Sequence, residues 1–176
     1  MVLEISSALV VRIMRSVHIA TRDPEGEYRV IEHCGILRGR GHRITAADFA
    51  KNVADDPERT FEIEPAALIA AYRGERRPGG LQVMGFFHTH PNGSCAPSKK
   101  DAEGAAPDGK IWLIASSEGA LLWRAVENGA VHGRFDRVIF DLRESNRVIK
   151  DVPGVEWRGL ELECRVKMDL EAREVI

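Results

Sequence analysis

Leu81-Gln82-Val83-Met84-Gly85-Phe86-Phe87-His88-Thr89-His90-Pro91 is the stretch that decides how this chain is read. A largely apolar run leads into a proline, which is the composition of a buried strand that stops at Pro91. Along a strand the side chains at i and i+2 share a face, with Cα atoms roughly 6.6 Å apart at ~3.3 Å rise per residue. His88 and His90 therefore stand side by side at the strand's end and can converge on one ion. Beyond them, Pro91, Asn92, Gly93, Ser94 and Pro97 let the chain turn sharply. Asp101 can then return to the same ion. Two imidazoles and one carboxylate leave a position of tetrahedral zinc open, the pattern of catalytic rather than structural zinc.

Each residue also has an ordinary explanation. Ser98-Lys99-Lys100-Asp101 reads as a variant capping box that opens a short helix, with Ser98 at the N-cap and Asp101 at the third helical position. The histidines alone could be buried polar groups satisfied by backbone. The capping reading does not compete with the metal reading, because a helix start holds Ser98 and Asp101 rigidly at the mouth of a site. A zinc hydrolase also needs a base to take a proton from water. The segment Val30-Ile31-Glu32-His33-Cys34-Gly35-Ile36-Leu37-Arg38-Gly39 supplies Glu32 at the start of an apolar, strand-like stretch. A solvated charge is the alternative for Glu32.

Taken together, these residues resemble a known pattern. Glu32 with Cys34-Gly35-Ile36-Leu37-x-Gly39, then His88-Thr89-His90-Pro91, then Ser98-x-x-Asp101, is similar to the JAMM motif of the JAB/MPN metallopeptidases, matched at each motif position. The resemblance covers roughly residues 1 to 140. It implies that His88, His90 and Asp101 bind Zn2+, that Glu32 is the general acid/base, and that Ser98 hydrogen-bonds the oxyanion of the tetrahedral intermediate. It also implies a fold of the α/β class: a mixed β-sheet flanked by helices, MPN/JAB-like, with a core laid out as in cytidine deaminases. Cys95 lies close to His90 and is a soft alternative ligand, but Asp101 already completes the family pattern.

The activity implied is hydrolysis of a peptide or isopeptide bond. The implied partner is a protein substrate with an extended, glycine-ended C-terminal tail, such as a ubiquitin-like or sulfur-carrier protein. The stretch Val53 to Phe61 and the region after Asp101 are short, so the inserted segments with which eukaryotic deubiquitinating members grip ubiquitin are missing, and ubiquitin-chain specificity does not transfer. A non-catalytic MPN-like interaction module is the alternative, although such members usually lack motif residues that this chain has. A zinc nucleobase deaminase would require H-x-E with P-C-x-x-C, and neither occurs here.

Composition narrows the setting. The chain has 176 residues, 44% of them hydrophobic, enough for one domain with a real core. A net charge of −2 gives no electrostatic footprint for nucleic acid. Three widely spaced cysteines, Cys34, Cys95 and Cys164, form no disulfide framework, which suits a reducing cytoplasm. The first residues lack the pattern of a signal peptide, and no apolar run approaches membrane-spanning length.

Local signals predict the layout. Val2 to Ile5 reads as a strand and Ser6 or Ser7 as the cap of a helix through about Arg22, broken by Asp23-Pro24-Glu25-Gly26. Strands are expected over Cys34–Gly39 and Ile44–Val53, and a helix from Glu64-Pro65 to about Arg76. After the histidine strand and the Ser98 helix, Lys110–Ser116 and Ala120–Val126 read as a hairpin, with Val131–Phe140 as a final core strand. These elements make a core over residues 1–142. Residues 143–176 form an extension in which Leu160, Leu162, Cys164, Val166, Met168 and Leu170 alternate with charged residues. That period of two predicts an extra C-terminal β segment, packed on the core or on a second copy in a homodimer.

Overall fold

The apolar run before His88 forms the central strand of the molecule, and the surrounding elements bury it. The computed structural model describes residues 2–23 and 25–143; the alternating segment 160–170 lies outside them. In chain order the elements are β1 (Leu3–Ser6), α1 (Ser7–Ser16), β2 (Ala20–Arg22), β3 (Tyr28–Val30), β4 (Cys34–Arg40), β5 (Arg43–Ala50), α2 (Pro65–Glu75), β6 (Gln82–His90), α3 (Lys99–Gly104), β7 (Ile111–Ser116), β8 (Gly119–Gly129), β9 (Gly133–Val138) and β10 (Phe140–Arg143).

Eight strands form one sheet in the order β10-β1-β5-β4-β6-β7-β8-β9, while β2 and β3 make a separate ribbon. The sheet is mixed: β1 runs parallel to β10 and β5, β6 runs parallel to β7, and the other pairs are antiparallel. One residue, Ile139, joins β9 to β10, the outermost strands at opposite ends of the sheet. The sheet therefore curls until its two ends meet. At the β10 end, Glu4 on β1 ties its two neighbouring strands, accepting from Arg43 of β5 at 2.7 Å and from Arg143 of β10 at 2.9 Å.

Helices cover both faces. The apolar side of α1, with Leu9, Val10, Ile13 and Val17, packs with Leu37, Ile44, Phe87, Leu113 and Leu122. On the other face Ala67, Leu68 and Ala71 of α2 meet Cys34, Ile36 and Val83. Ala102 of α3 and Ala105 just beyond it meet Trp112, Ile114, Trp123 and Phe135. Glycine lets β5, β4 and β6 close up: a Cβ on Gly35 would collide with the Asp48 carbonyl and the Phe87 ring.

Three local expectations are corrected. Helix α1 ends at Ser16, not near Arg22, and the Ser16 hydroxyl donates back to the Ile13 carbonyl at 2.7 Å. Ala20–Arg22 instead pairs with Tyr28–Val30. The Asp23–Gly26 turn closes this hairpin, with Gly26 at φ 93°, a conformation open to glycine. The strand expected to reach Val53 stops at Ala50, and Asn52 makes a lone bridge to Ile63. Finally, the expected strand Val131–Phe140 is two, and Phe140–Arg143 crosses to pair with β1.

Candidate metal centre

Strand β6 carries His88 and His90, and its register places them. Leu37 pairs with Gly85 and Arg38 with Val83, so Met84 is an extra residue in β6. The bulge shifts the alternation of the strand. Met84 joins the core under α1, while Val83 and Phe86 both face the α2 and α3 side. From Phe86 the period of two carries on to His88 and His90. Both imidazoles thus point to the face on which α3 begins.

That helix start supplies Asp101 by a reciprocal cap. The Asp101 N–H donates to Ser98 Oγ at 3.1 Å, and the Ser98 N–H donates to Asp101 Oδ2 at 2.6 Å. The Ser98 hydroxyl accepts in this cap, so its own proton remains available to donate elsewhere. Glu32 comes from the segment just before β4. Cys34 lies opposite His88, and continuing that register brings Glu32 level with His90.

The side chains converge. His88 Nε2 and His90 Nε2 are 2.9 Å apart. Asp101 Oδ1 lies 3.3 Å from His88 Nε2, and Oδ2 lies 3.5 Å from His90 Nε2. Zinc bonds of about 2.0–2.1 Å at tetrahedral angles separate ligand atoms by about 3.3 Å. The observed separations bracket that value, so these three groups fit a zinc ion. His90 Nδ1 is 2.7 Å from the Ser94 carbonyl, which can only accept, so Nδ1 carries the proton and Nε2 presents a lone pair.

Glu32 offers a second carboxylate: one of its oxygens and a nitrogen of each histidine lie within 4.8 Å of one another. Electrostatics separates the two acids. Burial raises the Asp101 carboxyl, but the adjoining imidazoles of His88 and His90 and the N–H of Ser98 outweigh it and hold the group well below the usual carboxylate range. Burial pushes Glu32 from 4.5 up to about 7, only partly offset by nearby His90. Asp101 is thus the permanent anion suited to a cation, and Glu32 is poised to exchange a proton near neutrality. Burial lowers His88, keeping it neutral. Burial also lowers His90, but Asp101 and the Ser94 carbonyl outweigh it and raise its net affinity for a proton.

The cysteines stand aside. Cys95 Sγ contacts Ser116 Oγ and the Gly119 carbonyl, each at 3.1 Å. Burial pushes the Cys34 thiol up to about 12, so it stays protonated. Two neighbours of the site had no readable sequence signal. Phe61 stacks on His88 with ring centroids 4.3 Å apart, and the Asn52 amide donates to the Glu32 carbonyl at 2.9 Å. Neither belongs to a periodic segment or to a spaced motif.

Comparison with known proteins agrees with this geometry. A desampylase of Haloferax volcanii is 32% identical over 104 residues, spanning 58% of this chain and 70% of the relative. A desampylase of Pyrococcus furiosus is 35% identical over 89 residues, 51% of this chain; the match spans 62% of that protein, less than two thirds of its length. The solution structure of a Desulfitobacterium hafniense protein superposes with a TM-score of 0.63 at 20% identity, covering 81% of this chain and 94% of the other, a likeness of fold. The family described as prokaryotic homologs of the JAB domain matches residues 15–132, a range that holds Glu32, His88, His90, Ser98 and Asp101. With most of its length inside that match, the chain belongs to the prokaryotic JAB-domain family.

Proposed function

We propose that this protein is a JAMM-type zinc isopeptidase that releases a ubiquitin-like or sulfur-carrier protein from the amine to which its glycine-ended tail is joined. The observation that carries the reading is the convergence of His88, His90 and Asp101 at zinc-ligand separations, beside a buried carboxyl poised near neutrality. The likeness to two desampylases supports a protein conjugate as the substrate.

In this reading His88 Nε2, His90 Nε2 and Asp101 hold the ion. Zinc, when bound, supplies a Lewis acid that polarises a carbonyl and makes water acidic enough to react near pH 7. Glu32 accepts the proton of the attacking water and delivers it to the departing amine. Ser98, held at the helix start by the cap, turns its hydroxyl proton to the developing oxyanion, a contact worth about 3 kcal/mol at the transition state. The hydrolytic core is residues 1–142 together with Arg143, which pairs with Ser6 of β1, and the extension beyond it is not needed for the chemistry, since all five residues precede it. Among the described residues no helix is long and apolar enough to cross a membrane. The two described cysteines are free and buried, which supports a reducing cytoplasm as the working compartment.

The test is cleavage of a ubiquitin-like protein linked through its C-terminal glycine to the lysine amine of a fluorescent peptide. Zinc-loaded wild type releases the peptide, and Glu32→Gln keeps its zinc but loses nearly all cleavage. Stoichiometric zinc with no cleavage of any such conjugate would instead favour a non-catalytic interaction module.

A further inference from the structure

We propose that the loop between β5 and α2 is the frame for both halves of the metal site, with Asn52 and Phe61 as its positioning residues. The inference rests on the assignment of Glu32 as proton carrier and His88 as ligand. It starts from an asymmetry between the two histidines. The ring of His90 is aimed by its Nδ1–H bond to Ser94. His88 is fully buried, yet among the described residues its Nδ1 finds no hydrogen-bond partner. A ligand imidazole is normally oriented through the nitrogen that faces away from the metal, so something else must hold this ring.

Aromatic packing takes that place. Phe61 lies against the His88 ring at 4.3 Å and 19°, a stacked pair, while Trp112 meets it edge-on at 6.0 Å and 85°. Phe61 is itself braced on Trp112, at 5.7 Å and 66°. The plane of His88 is therefore set by rings, and Phe61 sets it from the loop.

The loop is held shut at its neck. Asn52 bridges Ile63, the Val53 N–H donates to the Glu62 carbonyl at 2.9 Å, and the Glu64 N–H donates to the Lys51 carbonyl at 3.1 Å. Inside the neck, the Asn52 side chain uses its full bonding capacity. Its amide donates to the carbonyls of Glu32 and Thr60, each at 2.9 Å. Its oxygen accepts from the N–H groups of Ala54 and Glu62, each at 3.0 Å. Thr60 and Glu62 flank Phe61, so one side chain fixes the backbone on both sides of the ring that orients His88. The same side chain grips the Glu32 carbonyl, and Pro57 at the loop's tip accepts the Glu32 N–H at 2.7 Å. Both backbone polar groups of Glu32 thus end on this loop. Proton carrier and metal ligand are set by one short element, and a misplacement on the order of 1 Å in such groups costs about 100-fold in rate.

The experiment uses the full zinc-loaded chain, chelator competition for zinc affinity, and the ubiquitin-like–peptide conjugate for kinetics. Phe61→Leu should weaken zinc binding by roughly 10- to 100-fold, the range expected when an outer support of a ligand is lost. Phe61→Tyr, which keeps the ring, should restore affinity to within a few-fold of wild type. In the zinc-saturated protein, Asn52→Ala should lower kcat by at least about tenfold with KM unchanged. If Asn52→Ala does not fold, Asn52→Asp takes its place under the same kcat criterion, since it keeps both accepting contacts and sets a carboxylate oxygen against the Glu32 and Thr60 carbonyls in place of the two donated bonds. Wild-type zinc affinity in Phe61→Leu, failure of Tyr to rescue, or wild-type kcat at position 52 would overturn the inference. His88→Ala separates this failure from that of the site itself. If His88→Ala keeps its zinc, the ligand assignment is wrong; if it loses zinc while Phe61→Leu does not, only the role of the loop is wrong.

Discussion

Thr89, the residue between the two histidines, is locked to His33, the residue after Glu32. The Thr89 N–H donates to the His33 carbonyl at 2.9 Å, and Thr89 Oγ1 accepts the His33 N–H at 2.8 Å. This pair sits at the open end of the β4–β6 ladder and sets the register between Glu32 and the two histidines. The hydroxyl stands in for a backbone acceptor there, so Thr89 is polar for a structural reason although it is fully buried.

Thr89→Val tests that pair. Valine fills the same volume but leaves the His33 N–H without its acceptor, a loss of about 1–3 kcal/mol in folding stability. Activity should fall further than stability alone explains, because Glu32 is released from its register. Thr89→Ser should restore both. Chemical denaturation and cleavage rates measured on the three proteins decide it; equal stability in Val and wild type would show that the bond is unimportant.

The metal assignment predicts that His88→Ala and His90→Ala each lose most of the bound zinc, measured by metal analysis after dialysis. His88→Ala should also leave a gap beside Phe61 and Trp112, with destabilisation of about 1–3 kcal/mol on top of the metal loss. Zinc content unchanged in both variants would remove the histidines from the site.

How much of this could be read in advance follows from what is local. The period of two in β6 made His88 and His90 legible as neighbours, and the Ser98–Asp101 spacing announced the cap, because both patterns are contained in a few residues. The end of α1 was not legible: Val17 keeps the apolar spacing of the helix and no glycine or proline interrupts the chain before Pro24, and only pairing with Tyr28–Val30 draws residues 20–22 into a strand. The Met84 bulge is a property of two strands together, since it is defined by where Leu37 and Arg38 find their partners. The crossing of Phe140–Arg143 to β1 depends on closure of the whole sheet. Asn52 and Phe61 sit in an aperiodic loop, and their contacts reach residues 20 and 27 positions away.

Ser98 carries two duties that one substitution can separate. Ser98→Ala removes the acceptor for the Asp101 N–H, an N-cap loss of about 1 kcal/mol. It also removes the proton offered to the oxyanion, which should cost about 100- to 1,000-fold in kcat. The expected result is a small fall in melting temperature beside a large fall in kcat, with zinc retained through Asp101. A kcat loss no larger than the cap loss predicts would confine Ser98 to capping.

Glu32 predicts an inverted pH dependence of stability in the zinc-free protein. Its carboxyl is raised from 4.5 to about 7, chiefly by burial. A raised acid favours the folded state while protonated, so the contribution is complete below about pH 4.5 and is lost as pH rises through about 7. The displacement corresponds to roughly 3 kcal/mol as an upper bound, at about 1.36 kcal/mol per pH unit. Glutamine has no such charge to bury. Zinc-free Glu32→Gln should therefore melt higher than zinc-free wild type at pH 8, by several degrees, and the gap should close toward pH 5. Zinc should shrink the gap at pH 8, because a cation beside the carboxylate compensates its burial. Thermal melts of both proteins across that range, with and without zinc, provide the check. Equal melting curves at every pH would mean that Glu32 is solvated in the folded chain and is not the poised acid that the chemistry requires.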